Sequence, residues 1–185
     1  MKQEIILAGF ETEETPTLAL AIAYGSMLGG KHVSWEPLPL SDYAQHEHDY
    51  LVVISDVNGA QSGISNFDGL VALNQRAIRH YEDRVRSGGI IIFDSSHLVF
   101  GPSRTDVTAI AVPEAAPGTR LVAIVAKDLF VFGALIGAFE LMSRESAIQA
   151  LTELYPTASP AERFLWREAL EDGERQLMES SAALV

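Results

Sequence analysis

Four short segments carry side chains that could do chemistry. Asp94-Ser95-Ser96-His97 holds the acid, hydroxyl and imidazole types of a hydrolytic triad. Triad members come from separated elements that meet in a fixed geometry, so adjacent residues make a poor relay. The competing reading is turn hydrogen bonding by Ser95 and Ser96 together with contact to a ligand. His46-Glu47-His48-Asp49 mixes imidazoles with carboxylates, and an extended backbone would project both histidines to one side, as a divalent metal needs. The spacing matches no established metal motif, and a solvated loop is the plain alternative, so no metal is assigned. Asn74-Gln75 can cap a following helix or offer amides to a polar ligand. Glu11-Thr12-Glu13-Glu14 follows a single Gly9 where a phosphate-binding turn would need several glycines. Its carboxylates either complement the positive end of a helix or meet a basic partner.

Composition narrows the chemistry further. Twenty-five acidic against thirteen basic residues give a formal charge of -12, which repels phosphate backbones and anionic lipid surfaces. Nucleic acid and membrane surfaces are therefore not expected partners. There is no cysteine, so disulfides, thiolate nucleophiles and iron-sulfur ligation are excluded from these 185 residues. A chain of this length with 48% hydrophobic residues buries one continuous core, and a single domain over 1–185 is expected. The apolar run Ile5 to Ala8 is too short for a signal peptide, which makes a cytoplasmic address the expectation. Leu129 to Met142 is apolar over about 14 residues with Glu140 inside it, short of the roughly 20 of a membrane span.

The elements that must position these segments follow from periodicity. Ile5 to Phe10 is an unbroken apolar run, which suits a strand covered on both faces. Thr15 as a cap, Pro16 at the first position and Leu18, Ile22, Gly25 and Leu28 at helical spacing predict a helix ended by Gly29-Gly30. Strands are predicted over Lys31 to Trp35 and Tyr50 to Ser55, joined by the loop Pro37 to Asp49. A second β-α-β unit runs from the strand Gly69 to Leu73, through a stripe of Ala77, Ile78, Tyr81 and Val85, to Ile90 to Phe93 behind Gly88-Gly89. Val107 to Val112 reads as a further strand, and helical pattern dominates from about Leu121, with Gly133 and Gly137 on one face where a neighbour could approach closely. Ser143 and Ser159 are predicted caps of two helices split at Pro156, the second with Pro160 at its first position and Glu162 completing a capping box; a frayed tail is expected after about Glu179. Alternating strands and helices imply a three-layer α/β/α, Rossmann-like domain with a mostly parallel sheet, whose ligands bind beyond the carboxyl ends of the strands.

Several segments in this order carry a family likeness: Ile5-Ile6-Leu7-Ala8-Gly9-Phe10, Gly30-Lys31-His32-Val33-Ser34-Trp35, Phe67-Asp68-Gly69-Leu70-Val71-Ala72-Leu73-Asn74-Gln75, Gly88-Gly89-Ile90-Ile91-Ile92-Phe93-Asp94-Ser95-Ser96 and Gly133-Ala134-Leu135. Together they resemble the gamma subunit of 2-oxoacid:ferredoxin oxidoreductases, the family of the pyruvate, 2-oxoglutarate and branched-chain oxoacid enzymes. The resemblance implies a subunit, inactive alone, of an enzyme that oxidatively decarboxylates a 2-oxoacid to an acyl-coenzyme A and passes electrons to ferredoxin. Thiamine diphosphate and iron-sulfur clusters would then sit in alpha, beta and ferredoxin-like delta partners, with a coenzyme A contact on this side and a homodimer of the isolated chain left open. Gly9, Phe10, Asn74, Gln75, Ser95 and Ser96 keep the family's character and are the cofactor-facing residues it implies; no catalytic residue is carried over. Where the family has Gly-Gly-Gln-Gly this chain has Glu11-Thr12-Glu13-Glu14, and the family's Gly-Pro-Glu-x-Arg-Gly-Gly loop falls on Leu40 to His46. Those losses motivate the alternative, a non-catalytic binding or regulatory protein on the same scaffold.

Overall fold

The apolar run near the start becomes the strand β1 (Lys2–Glu11), in which Ile5, Ile6, Leu7 and Ala8 expose no surface at all. A strand buried on both faces must lie inside a sheet with cover above and below, and the computed structural model, which describes residues 1–11, 17–38, 47–59, 66–95, 98–112 and 126–182, has β1 near the centre of a six-stranded sheet. The other strands are β2 (His32–Leu38), β3 (Glu47–Ser55), β4 (Phe67–Ala72), β5 (Val85–Asp94) and β6 (Thr108–Val112). Their order is β2-β3-β1-β4-β5-β6. β1, β4, β5 and β6 pair in parallel, whereas β3 runs against both β1 and β2. The sheet is thus mostly parallel, with one reversed strand.

The helices are α1 (Thr17–Leu28), α2 (Gln75–Tyr81), α3 (Ala126–Phe139), α4 (Arg144–Leu154) and α5 (Pro160–Ala182). Alternation along the strands divides the core in two. Ile5, Leu7, Val52, Ile54, Val71 and Ile92 pack with side chains of α1, α3, α4 and α5, while Ile6, Ala8, Leu51, Val53, Leu70 and Ile91 pack with Ala77, Ile78 and Tyr81 of α2. The expected three layers are present but unequal: among the described residues four helices lie on one face and one short helix on the other.

Local signals explain where the last helices start. Ser143 Oγ accepts from the Ser146 amide at 3.1 Å. Ser159 and Glu162 form a reciprocal capping box, with the Glu162 amide donating to Ser159 Oγ at 3.2 Å and the Ser159 amide to Glu162 Oε2 at 2.7 Å. Other expectations need correction. α2 ends at Tyr81, and a 3-10 turn over Glu82–Arg84 hands the chain to β5, so Val85 belongs to a strand rather than to the helical stripe. The loop predicted from Pro37 to Asp49 is shortened at both ends, because Pro37 sits in β2 opposite Tyr50 and β3 begins at Glu47; an edge strand tolerates the missing proline donor. Gly137 is exposed, and the close approach pairs Gly133 with Gly173 instead. A Cβ at Gly133 would stand 2.1 Å from the Leu170 carbonyl oxygen, and one at Gly173 2.1 Å from that of Phe130. α5 extends to Ala182, and residues 183–185 lie outside the described residues. The predicted cap Thr15 with Pro16 and the segment from Leu121 to the start of α3 lie outside the described residues. No helix among the described residues is long and apolar enough to cross a membrane.

Candidate functional site

The parallel register aligns Ala8, Ala72, Phe93 and Ala111 in one row, so the residues just beyond them crowd the carboxyl edge of the sheet. β1 is irregular there. Leu7 faces Tyr50 but Phe10 faces His48, which gives β1 one residue more than its partner, a β-bulge. Gly9 sits in the bulge at φ +89°, a conformation that favours glycine. Its amide leaves the ladder and donates to Asp49 Oδ1 at 2.9 Å.

Asp49 is the centre of the site. Its side chain has no exposed surface, and a buried carboxylate must be paired to be tolerated. Arg76 meets it as a planar fork, Nη2 to Oδ1 at 2.7 Å and Nη1 to Oδ2 at 2.9 Å. The Tyr81 hydroxyl donates to Oδ2 at 2.8 Å. Burial, and after it the hydrogen bond to Asp49, push the Tyr81 pKa well above the ordinary phenol range, so this group works as a neutral donor. One carboxylate thereby joins the bulge of β1, the start of β3 and both ends of α2.

The Asn74-Gln75 pair lies alongside. Asn74 caps α2 by accepting from the Ala77 amide at 2.9 Å, and its side-chain amide packs so near Gly9 that a Cβ there would stand 2.8 Å from Nδ2. Gln75 spends both ends of its amide on the segment behind β5: Nε2 donates to the Phe100 carbonyl at 3.1 Å, and Oε1 accepts from the amides of Val99 and Phe100 at 3.1 and 3.0 Å. Glu82 and Arg104 continue the clamp. Glu82 Oε2 accepts from the Ser103 amide at 2.8 Å, and Arg104 Nη1 donates to the carbonyls of Glu82 and Val85 at 3.0 Å. Val99 and Phe100 are left pointing outward, both largely exposed.

Of the residues singled out in the sequence, the fold brings Gly9, Asn74 and Gln75 together and turns Ser95 away from them. Ser95 Oγ donates to the Val112 carbonyl at 2.9 Å, tying the end of β5 to the end of β6. Ser96 and His97 lie outside the described residues, as do the side chains of Phe10 and Glu11 and the whole of Thr12 to Glu14. In the His46-Glu47-His48-Asp49 run, Glu47 to Asp49 belong to β3, His46 is outside the described residues, and the Asp49 carboxylate is committed to Arg76, Tyr81 and Gly9. Among the described residues no three His, Asp or Glu side chains are grouped to hold a metal ion. Sequence reasoning missed Asp49, Arg76 and Tyr81 as a unit. The available signal was period-two alternation, which sets Asp49 on the same face of its strand as Leu51 and Val53, both buried.

Comparison with known proteins agrees with this architecture. The pyruvate ferredoxin/flavodoxin oxidoreductase family matches residues 4–163. The ketoisovalerate oxidoreductase subunit VorA of Methanothermobacter thermautotrophicus is 33% identical over 107 residues, which are 58% of this chain and 22% of that protein. The VorA of Methanothermobacter marburgensis is 29% identical over the same length. The alignment thus takes in only 22% of the length of these curated relatives. Among solved structures, the gamma subunit of a keto/oxoacid ferredoxin oxidoreductase from Geobacter sulfurreducens superposes with a TM-score of 0.73 at 20% identity, covering 96% of this chain and 99% of that one. The 2-oxoglutarate:ferredoxin oxidoreductase of Magnetococcus marinus, solved with 2-oxoglutarate, coenzyme A and succinyl-CoA bound, gives 0.78 at 19% identity over 96% of this chain and 31% of its own. With most of its length matched by one family and nearly all of it superposed on a gamma subunit, the chain belongs to the pyruvate ferredoxin/flavodoxin oxidoreductase family and has the fold of its gamma subunits.

Proposed function

We propose that this chain is a gamma-type subunit of a multi-subunit 2-oxoacid:ferredoxin oxidoreductase in the cytoplasm, packing against alpha, beta and ferredoxin-like delta subunits and holding no redox group itself. The family match over residues 4–163 carries the reading. The absence of cysteine supports the division of labour, since iron-sulfur clusters need thiolate ligands that this chain does not have. Thiamine diphosphate and the clusters, which supply carbanion stabilisation and electron transfer, then belong to the partners. The chain's own part is to wall the substrate cleft with its carboxyl edge, to which β1 brings Gly9 and Phe10, the start of α2 brings Asn74 and Gln75, and the end of β5 brings Ser95; Ser96 belongs to the same proposal by its place in the sequence. The Gly9 amide itself does not fit a coenzyme A phosphate, since it already binds Asp49 and glutamates follow it in the sequence.

The test is co-purification from native extracts. Recovery of the chain with thiamine- and cluster-bearing partners, and loss of 2-oxoacid-dependent ferredoxin reduction when it is omitted from a reconstituted complex, are the expected results. A consistently solitary protein would sink the proposal. It would favour a second reading, a non-catalytic binding or regulatory protein on the same scaffold, which the internally satisfied Gly9 amide already commends.

A further inference from the structure

We infer that Asp49 is a built-in anion, its carboxylate occupying the place at the carboxyl end of β1 where a glycine amide and a guanidinium would otherwise receive the anionic group of a ligand. In α/β sheets ligands arrive beyond the carboxyl ends of the strands, and their phosphates or carboxylates are received by backbone amides freed at glycines and by basic side chains. Both kinds of group are present here. The bulge withdraws the Gly9 amide from the sheet, and Arg76 projects from the first turn of α2. They converge on one oxygen, Asp49 Oδ1, at 2.9 Å from the Gly9 nitrogen and 2.7 Å from Arg76 Nη2. Oδ2 takes the other arm of the guanidinium at 2.9 Å and the Tyr81 hydroxyl at 2.8 Å. This is the donor set an external carboxylate or phosphate would seek, already spent within the chain.

The surroundings close the place to a ligand. The Asp49 side chain is fully buried. The Asn74 amide fills the space beside the Gly9 α-carbon, 2.8 Å from where a Cβ would stand. Glu11, Glu13 and Glu14 then add negative charge along the chain where the family's glycines would free more amides. The β1 edge is therefore finished in advance rather than completed by a cofactor. In the proposed complex, where substrate and cofactors carry carboxylates and phosphates, those anionic groups must be held by the other subunits; this last step rests on the proposed assembly, whereas the occupation of the site by Asp49 does not.

Two measurements on the full chain test the inference. In the wild type, pyrophosphate or coenzyme A titrated into nitrogen-15-labelled protein should leave the Gly9 amide resonance unmoved, and a saturable shift of that resonance would overturn the idea. Asp49→Ala vacates the place and removes the carboxylate that Gly9 and Arg76 share. Formate or acetate should then raise its unfolding temperature saturably, relative to chloride at equal ionic strength, with no such rise in the wild type. A folded Asp49→Ala chain indifferent to small carboxylates would refute the assignment, and if that variant does not fold, the Gly9 titration decides alone. Neither readout involves a partner subunit, so each can fail while co-purification succeeds, and the reverse.

Discussion

Gly9 is held at φ +89° with the Asn74 amide 2.8 Å from where a Cβ would stand, so any side chain there meets backbone strain and a clash together. We expect Gly9→Ala to destabilise the protein by about 1–3 kcal/mol, read by chemical denaturation. Asn74→Ala alone loses the cap of α2, worth about 1 kcal/mol. Because the two side chains compete for one space, the double variant should be less damaging than the sum, with a coupling of roughly 0.5–3 kcal/mol. Strict additivity would show that the contact is not what matters. At this scale the sequence was partly legible. Asn74 was readable as a cap because capping depends on neighbours along the chain, and the amide of Ala77 is where that reading needs it. The role of Asp49 was not readable, because it depends on a one-residue bulge in a strand 40 residues away in sequence.

Among the elements, the crossing of α3 and α5 is set by Gly133 and Gly173, whose missing side chains let the backbones touch. Alanine is the better helix former by roughly 1 kcal/mol. That gain is overruled here, since the Cβ of Gly133→Ala would stand 2.1 Å from the Leu170 carbonyl oxygen, and a backbone atom cannot rotate away as a flexible side chain can. Net destabilisation of about 1–3 kcal/mol is expected for Gly133→Ala, whereas Gly137→Ala on the exposed side should be neutral or stabilising; thermal unfolding of the two variants compares them directly. The sequence pointed to Gly133 and Gly137 together because both lie on one helical face. Only tertiary packing reveals that the partner is Gly173 on another helix. The same limit explains Val85, four residues after Tyr81 and apolar, which continues a helical stripe on paper and opens β5 in the fold. Caps at Ser143 and Ser159 were legible because each is closed within four residues.

For the whole molecule, the layered α/β architecture followed from the order of apolar runs and helical stripes, and the reversed strand β3 did not, since strand direction leaves no mark on period-two alternation. Charge at this scale gives a pH prediction. Asp56 is held down to about 2, first by its hydrogen bond from Lys31, and Asp106 is likewise held down to about 2, first by Arg104. Both folded values are depressed, so their contribution to stability is complete above the unfolded carboxylate value of about 3.9 and is lost as pH falls through the folded values. The unfolding temperature should therefore change little with these groups above about pH 5 and drop between about pH 4 and 2, with a shallower drop in Lys31→Met. An equally steep drop in Lys31→Met would remove Asp56 from the account. α5 has one more consequence, for where this unit can be cut. The family match stops at residue 163, three residues past the Pro160 start and about one turn into the helix, while Trp166, Leu170 and Gly173, which seat the helix on the core and on α3, come later. A polypeptide excised at the family boundary should lose cooperative unfolding and expose the α3 face to aggregation, and one carried through Ala182 should keep both its melting transition and its solubility.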